Sequence, residues 1–211
     1  MMARVSDEKL RELERRWRET GAVEDEAAFL LERVRAGELT QERLELAAYC
    51  GHAGARRAVA APKDPPQALG QLLEDVEASW GQRVAVGVAV AATQAALASC
   101  LASGHPEAAL PTSLVQVAEE AFSCPCDMHS EAAWTAYKRR SAEFWSATED
   151  QDIQLRSAQS AALACARAAA GRHHAARKAV DEAAATAKAG GVRTAILTYL
   201  LTWALASDRA T

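Results

Sequence analysis

"VAVGVAVAATQAALASCL", residues Val84 to Leu101, is the most apolar stretch of the chain, and its reading decides the fold. A bilayer span needs about 20 predominantly apolar residues. Here the apolar text is mainly alanine and is interrupted by Thr93, Gln94 and Ser99. It reads as a buried helix and not as a span. Gly87 in its interior costs about 1 kcal/mol relative to alanine, a cost that close packing against a neighbouring helix explains. The same logic runs outward, because roughly a quarter of the chain is alanine, far above ordinary usage. Alanine is the best helix former but adds little buried area. Helices therefore approach closely through small side chains, and larger residues supply the packing energy, about 1.5–3 kcal/mol for each fully buried Leu, Val or Phe. The five tryptophans, at 17, 80, 134, 145 and 203, are the expected anchors.

Before this stretch the chain is punctuated into short helices. Ser6 opens the first, with Asp7 and Glu8 where acids favour the helix dipole. Leu10, Leu13 and Trp17 share one face, and Gly21 ends it. A second helix runs from Glu24 to Ala36 with Ala27, Leu30 and Val34 inward. Thr40 caps a third, "QERLELAAYC", and "GARRAVA" forms a fourth. Pro62, Pro65 and Pro66 cannot be helix interior. Residues 61–66 are therefore the linker between an N-terminal subdomain, 1–60, and an alanine-rich bundle, 67–211. The bundle begins with Gln67–Trp80 and Gln82–Ala102, separate helices or one long bent helix about Gly81. Further helices are expected at Ser113–Ser123, Ser130–Ala147, Asp150–Ala170, His173–Lys188 and Val192–Ala206, with "AKAGG" as a stop at Gly191. No stretch shows sustained strand alternation. The fold class is all-α, with about eight to ten helices.

Charge excludes several functions. The net charge is −4, with acids and bases interspersed. A nucleic-acid binder needs a one-signed basic face, and a polybasic membrane tether needs clustered cations. Met1 to Arg18 is charged throughout, unlike a signal peptide. Five scattered cysteines, an odd number, do not make a secreted disulfide framework. A reducing cytoplasm is the expected setting.

"LELAAYCGHAGARRAV" (Leu44–Val59) resembles the helix–turn–helix of one ankyrin repeat, but without a second copy it reads as an antiparallel helix pair. The segments "LERRW", "DEAAFLLERVRAGEL" and "ERLELAAYCGHAGARRAV" resemble the opening of a family of bacterial, alanine-rich, all-helical proteins to which no reaction is assigned. "CPCDMHSEAAW" and "GVRTAILTYLLTWAL" resemble later parts of the same group, and the alanine-rich half is also similar to small helical immunity proteins. The resemblance implies a fold and no catalytic residue.

Chemistry concentrates in "CPCDMH", Cys124–His129. Pro125 pushes Cys124 into an extended conformation. Residues i and i+2 of an extended segment point the same way, so both sulfurs can face one point, and His129 can join from the next helix. Zinc takes four ligands, or three and water. Cys50 and His52, or His105, are candidate fourth ligands. The plainer alternative is a loop before a helix capped at Asp127 or Ser130, with the thiols packed as small hydrophobes. A third reading makes Cys126 a nucleophile with His129 as base. His173 and His174 point about 100° apart on a helix and do not share a metal. The acids of "EDEAA" and "SATEDQD" fall at helix N-termini, where the dipole accounts for them.

The expected function is non-catalytic recognition of another protein, in a toxin-neutralising or adaptor form. Arg16, Trp17, Tyr137, Arg139 and Arg140 are the candidate contact residues, since Trp, Tyr and Arg dominate interfaces. The first alternative is a metal-binding protein, structural or sensory, holding zinc or iron through Cys124, Cys126 and His129 with Cys50 or His52. The second is a thiol-dependent enzyme. No cofactor is expected under the leading reading, and self-association is left open.

Overall fold

The computed structural model describes residues 2–106, 111–146, 152–172 and 174–206, with the side chains of the first helix described from Glu8. Ten α-helices and no strand occur among the described residues. They are α1 (Met2–Thr20), α2 (Val23–Arg35), α3 (Gln41–Tyr49), α4 (Ala53–Ala58), α5 (Leu69–Ala102), α6 (Thr112–Ser123), α7 (Asp127–Ser146), α8 (Ile153–Ala169), α9 (Ala175–Thr186) and α10 (Ala189–Leu205). The chain divides into two compact units. One holds residues up to Pro65 with those from Leu200 onward, and the other holds Pro66–Tyr199. The bundle expected over 67–211 thus loses its last helical turns to the first unit.

In the first unit α1 stacks Trp17 on Phe29 of α2, with ring centroids 5.4 Å apart. Asp25 and Glu32 are buried acids. Arg16 pairs with Asp25 at 2.8 Å and Lys9 with Glu32 at 2.9 Å. A buried charge needs such a partner to be tolerated. Thr40 caps α3 by accepting from the Arg43 N–H. Leu44, Ala47 and Ala48 point inward as their spacing predicts, but Arg43, Leu46 and Tyr49 are buried too. The Arg43 guanidinium donates to the carbonyls of Trp203 and Ala206, and Arg33 donates to Leu205 O at 3.1 Å. These arginines satisfy the orphan carbonyls at the end of α10 and face the negative end of its dipole.

In the second unit α5 is the centre. Residues 84–93 are buried without interruption, as expected of a helix surrounded by others. By length and composition α5 could cross a membrane, but 72% of its apolar window is buried within the structure. Gly81 breaks it, at φ 78° and ψ −178°, a backbone region open essentially to glycine. Alanines of α8 (Ala158, Ala161, Ala162, Ala166) and α9 (Ala175, Ala179, Ala183) are buried, which is how small side chains let the helices crowd.

Several boundaries differ from expectation. α1 begins at Met2, because nothing in residues 2–5 breaks a helix, and Ser6 lies inside it. α7 begins at Asp127, and the Ser130 N–H already bonds to Cys126 O. Neither Asp127 nor Ser130 is therefore its cap. Gly190 and Gly191 lie in the first turn of α10 and are not the stop of α9, which ends at Thr186. In a first turn the N–H groups lack helical partners whatever the residue. His173 lies outside the described residues. His174 precedes α9 in a left-handed conformation, φ 64°.

Candidate functional site

The turn between α6 and α7 is built by three local devices. Arg83 of α5 donates to Phe122 O and Ser123 O, both at 2.9 Å, and so fixes the last turn of α6. Cys124 ends that helix in an extended conformation, φ −128° and ψ 91°, as a residue before proline should. The Cys126 N–H then bonds back to Cys124 O at 2.9 Å, which closes a three-residue turn around Pro125. Beyond it, α7 starts at once.

This turn gathers the three soft side chains. The Sγ atoms of Cys124 and Cys126 and a ring nitrogen of His129 all lie within 4.8 Å of one another. His129 Nδ1 is 3.0 Å from Cys126 Sγ and 3.0 Å from Cys124 O. Cys124 is exposed, and Cys126 and His129 are half-buried. The Cys126 thiol is held below its ordinary range, chiefly because the His129 backbone N–H bonds its sulfur, with Cys124 and the imidazole assisting against partial burial. That is the behaviour of a thiol at a helix N-terminus. The Cys124 thiol is pushed up, chiefly by its hydrogen bond to Cys126, while Arg83 pulls it down. The pair thus loses its first proton from Cys126, and the Cys124 S–H supports the resulting thiolate.

The remaining sequence candidates are engaged elsewhere. Cys50 and His52 belong to the first unit. Burial pushes the Cys50 thiol up to about 12. His52 caps α4 by accepting from Ala55 N–H, and its other ring nitrogen is 3.4 Å from Glu26. Neither joins the soft cluster, which among the described residues holds Cys124, Cys126 and His129. His105 sits 3.6 Å from Asp152, the acid that caps α8 through Gln154 and Leu155 N–H.

Of the candidate contact residues, Arg16 and Trp17 are engaged with Asp25 and Phe29 as above. Tyr137 stacks on Trp134 at 5.2 Å, under Arg167 at 5.9 Å. Arg140 pairs with Glu143 at 2.6 Å, and Arg139 is exposed. The large exposed apolar side chains of α7 are instead Met128 and Trp145, 70% and 62% exposed. Sequence reasoning did not select them, although Trp145 was marked as an anchor by residue type. Comparison of the chain with protein-family models, with curated proteins and with solved structures finds no match in any of the three.

Proposed function

We propose that the protein binds a thiophilic divalent metal ion, zinc foremost, at the α6–α7 turn through Cys124, Cys126 and His129. The convergence of two sulfurs and an imidazole within 4.8 Å supports this reading. Zinc with sulfur bonds of about 2.3 Å and nitrogen bonds of about 2.0 Å needs its donor atoms roughly 3.5–3.8 Å apart. Small side-chain rotations therefore suffice. Two thiolates neutralise a divalent ion, and the depressed Cys126 thiol lowers the cost of the first deprotonation. Three protein ligands leave one position for water or for a donor from outside. The turn is already shaped by Pro125, Arg83 and the start of α7, so metal is not needed to fold it. A sensory or exchangeable site fits that arrangement better than a structural one.

The test is titration of the reduced full-length chain with cobalt(II) and then zinc. One equivalent of cobalt should give a thiolate charge-transfer band that zinc abolishes. Cys126→Ser and His129→Ala should each weaken binding at least about tenfold. No band, or a band that survives Cys124→Ser with Cys126→Ser, would refute the reading.

A second reading, recognition of another protein in an adaptor or toxin-neutralising role, is supported by exposed Met128 and Trp145 on α7. Co-purification from the native cell, lost on Met128→Glu with Trp145→Glu, is its test. Retention of the same partner by that double variant would discard it.

A further inference from the structure

We infer that a groove between α7, α8 and α9 binds a small organic anion with an aromatic body, a carboxylate being the simplest head group. The groove lies within the second unit and encloses about 320 Å³, at the lower end of the roughly 300–1,000 Å³ typical of small-molecule sites. It does not rest on the metal reading. The two sites share α7 only, Cys126 preceding its first turn and Trp145 lying in its last.

The hollow follows from the sequence. On α7, Tyr137, Ser141 and Phe144 recur at helical spacing on one face, with Trp145 beside them. On the facing helices Ala164 of α8 and Ala175 of α9 line the groove beside Ser160 and Leu163, and the small alanine side chains leave room opposite the rings. Aromatic walls with small residues opposite leave a slot suited to a flat apolar body, since rings stack best offset or edge-on.

Charge selects the head group. Among the described residues, two cations line the groove, Arg167 on α8 and Lys178 on α9, and no carboxylate does. Arg167 is held at the wall, its guanidinium 5.9 Å from the Tyr137 ring centre. Lys178 makes no ion pair among the described residues. Glu182, one turn further along α9, takes a hydrogen bond from Ser160 at 3.0 Å and does not line the groove. An anion seated between Arg167 and Lys178 gains charge-assisted hydrogen bonds, while its ring covers Trp145. His174, at the groove's end, keeps a positive φ of 64°. Strained conformations of this kind cluster at ligand clamps.

The experiment uses the full-length chain with 4-phenylbutyrate and its neutral counterpart 4-phenyl-1-butanol, followed by calorimetry and tryptophan fluorescence at low salt. The acid should bind one to one and at least about tenfold more tightly than the alcohol, the difference a charge-assisted pair supplies. Lys178→Gln, an exposed change that leaves the helical spectrum intact, should reduce that preference to about threefold or less. Trp145→Phe should remove most of the fluorescence response and keep the preference. Four outcomes overturn the inference: no binding of either probe, equal binding of both, a preference that survives Arg167→Gln with Lys178→Gln, or binding of hexaglutamate but not phenylbutyrate.

Discussion

Replacing Arg43 by methionine tests how the end of α10 is held in the first unit. Arg43 is only 9% exposed. Its guanidinium donates to the carbonyls of Trp203 and Ala206 and lies 4.8 Å from the Trp203 ring centre. A hydrogen bond from a charged donor contributes about 1.5–3 kcal/mol, and a cation over an indole about 0.5–2 kcal/mol. Ala206 is exposed, so its carbonyl regains water in the variant, and the lower ends apply. Two such bonds and the ring contact then give a loss of about 3.5 kcal/mol. Methionine keeps the apolar stem and much of the volume, which separates the lost bonds from a cavity. Urea unfolding, followed by far-ultraviolet circular dichroism and by tryptophan fluorescence, should show a lower midpoint at unchanged slope. Arg43→Lys should recover about half, because an ammonium cannot reproduce the planar fork. A loss below about 1 kcal/mol for methionine would refute the reasoning.

The thiols give a chemical ranking: at neutral pH iodoacetamide should modify Cys126 before Cys165, which is fully buried and pushed up to about 12. His129→Ala should raise the pH midpoint of Cys126 alkylation only in part, since the backbone N–H at 129 remains; complete return to an ordinary thiol would contradict the assignment. Cys50 and Cys165 stand near 12 in the folded chain against 9.0 ordinarily. Their raised values give stability that is full below pH 9 and falls as pH rises toward 12. Thermal melts should therefore decline across that window, less steeply in Cys165→Ala, and identical slopes in both chains would refute this. At Gly54 an added Cβ would fall 2.5–2.8 Å from the Glu26 carboxyl group and its Cγ. Gly54→Ala should thus cost on the order of 1 kcal/mol despite the better helix propensity. A Glu26→Ala background should reverse the sign, and additive effects in the double-mutant cycle would argue against the contact.

The candidate sites were legible to different degrees. The soft ligands of "CPCDMH" stand out by residue type, and the conformation before Pro125 follows from proline sterics. Their convergence needed the backbone turn from Cys126 to Cys124 and the anchoring of α6 by Arg83, a residue about 40 positions earlier. The groove was not legible, because its cations sit on two helices that only packing sets against the aromatic face of α7. Trp17 and Arg16 suggest a contact surface by type; in the fold Phe29 stacks on Trp17 and Asp25 pairs with Arg16, whose side chain stays 62% exposed. Composition reports what a side chain can do, and its neighbours settle what it does.

By itself the sequence determined the all-α class, the Thr40 cap, the break at Gly81 and the boundary near Pro65. Each is a local property of propensity, capping, glycine freedom or proline geometry, acting within a few residues of chain. Tertiary structure alone decided that α3 is buried on its Arg43 side, that α10 from Leu200 onward belongs with the first unit, and that Cys50 and His52 serve their own surroundings. The first two outcomes join α3 to the end of α10, about 160 residues further along the chain, and the third brings Glu26 of α2 to His52, so no short window of sequence contains both partners.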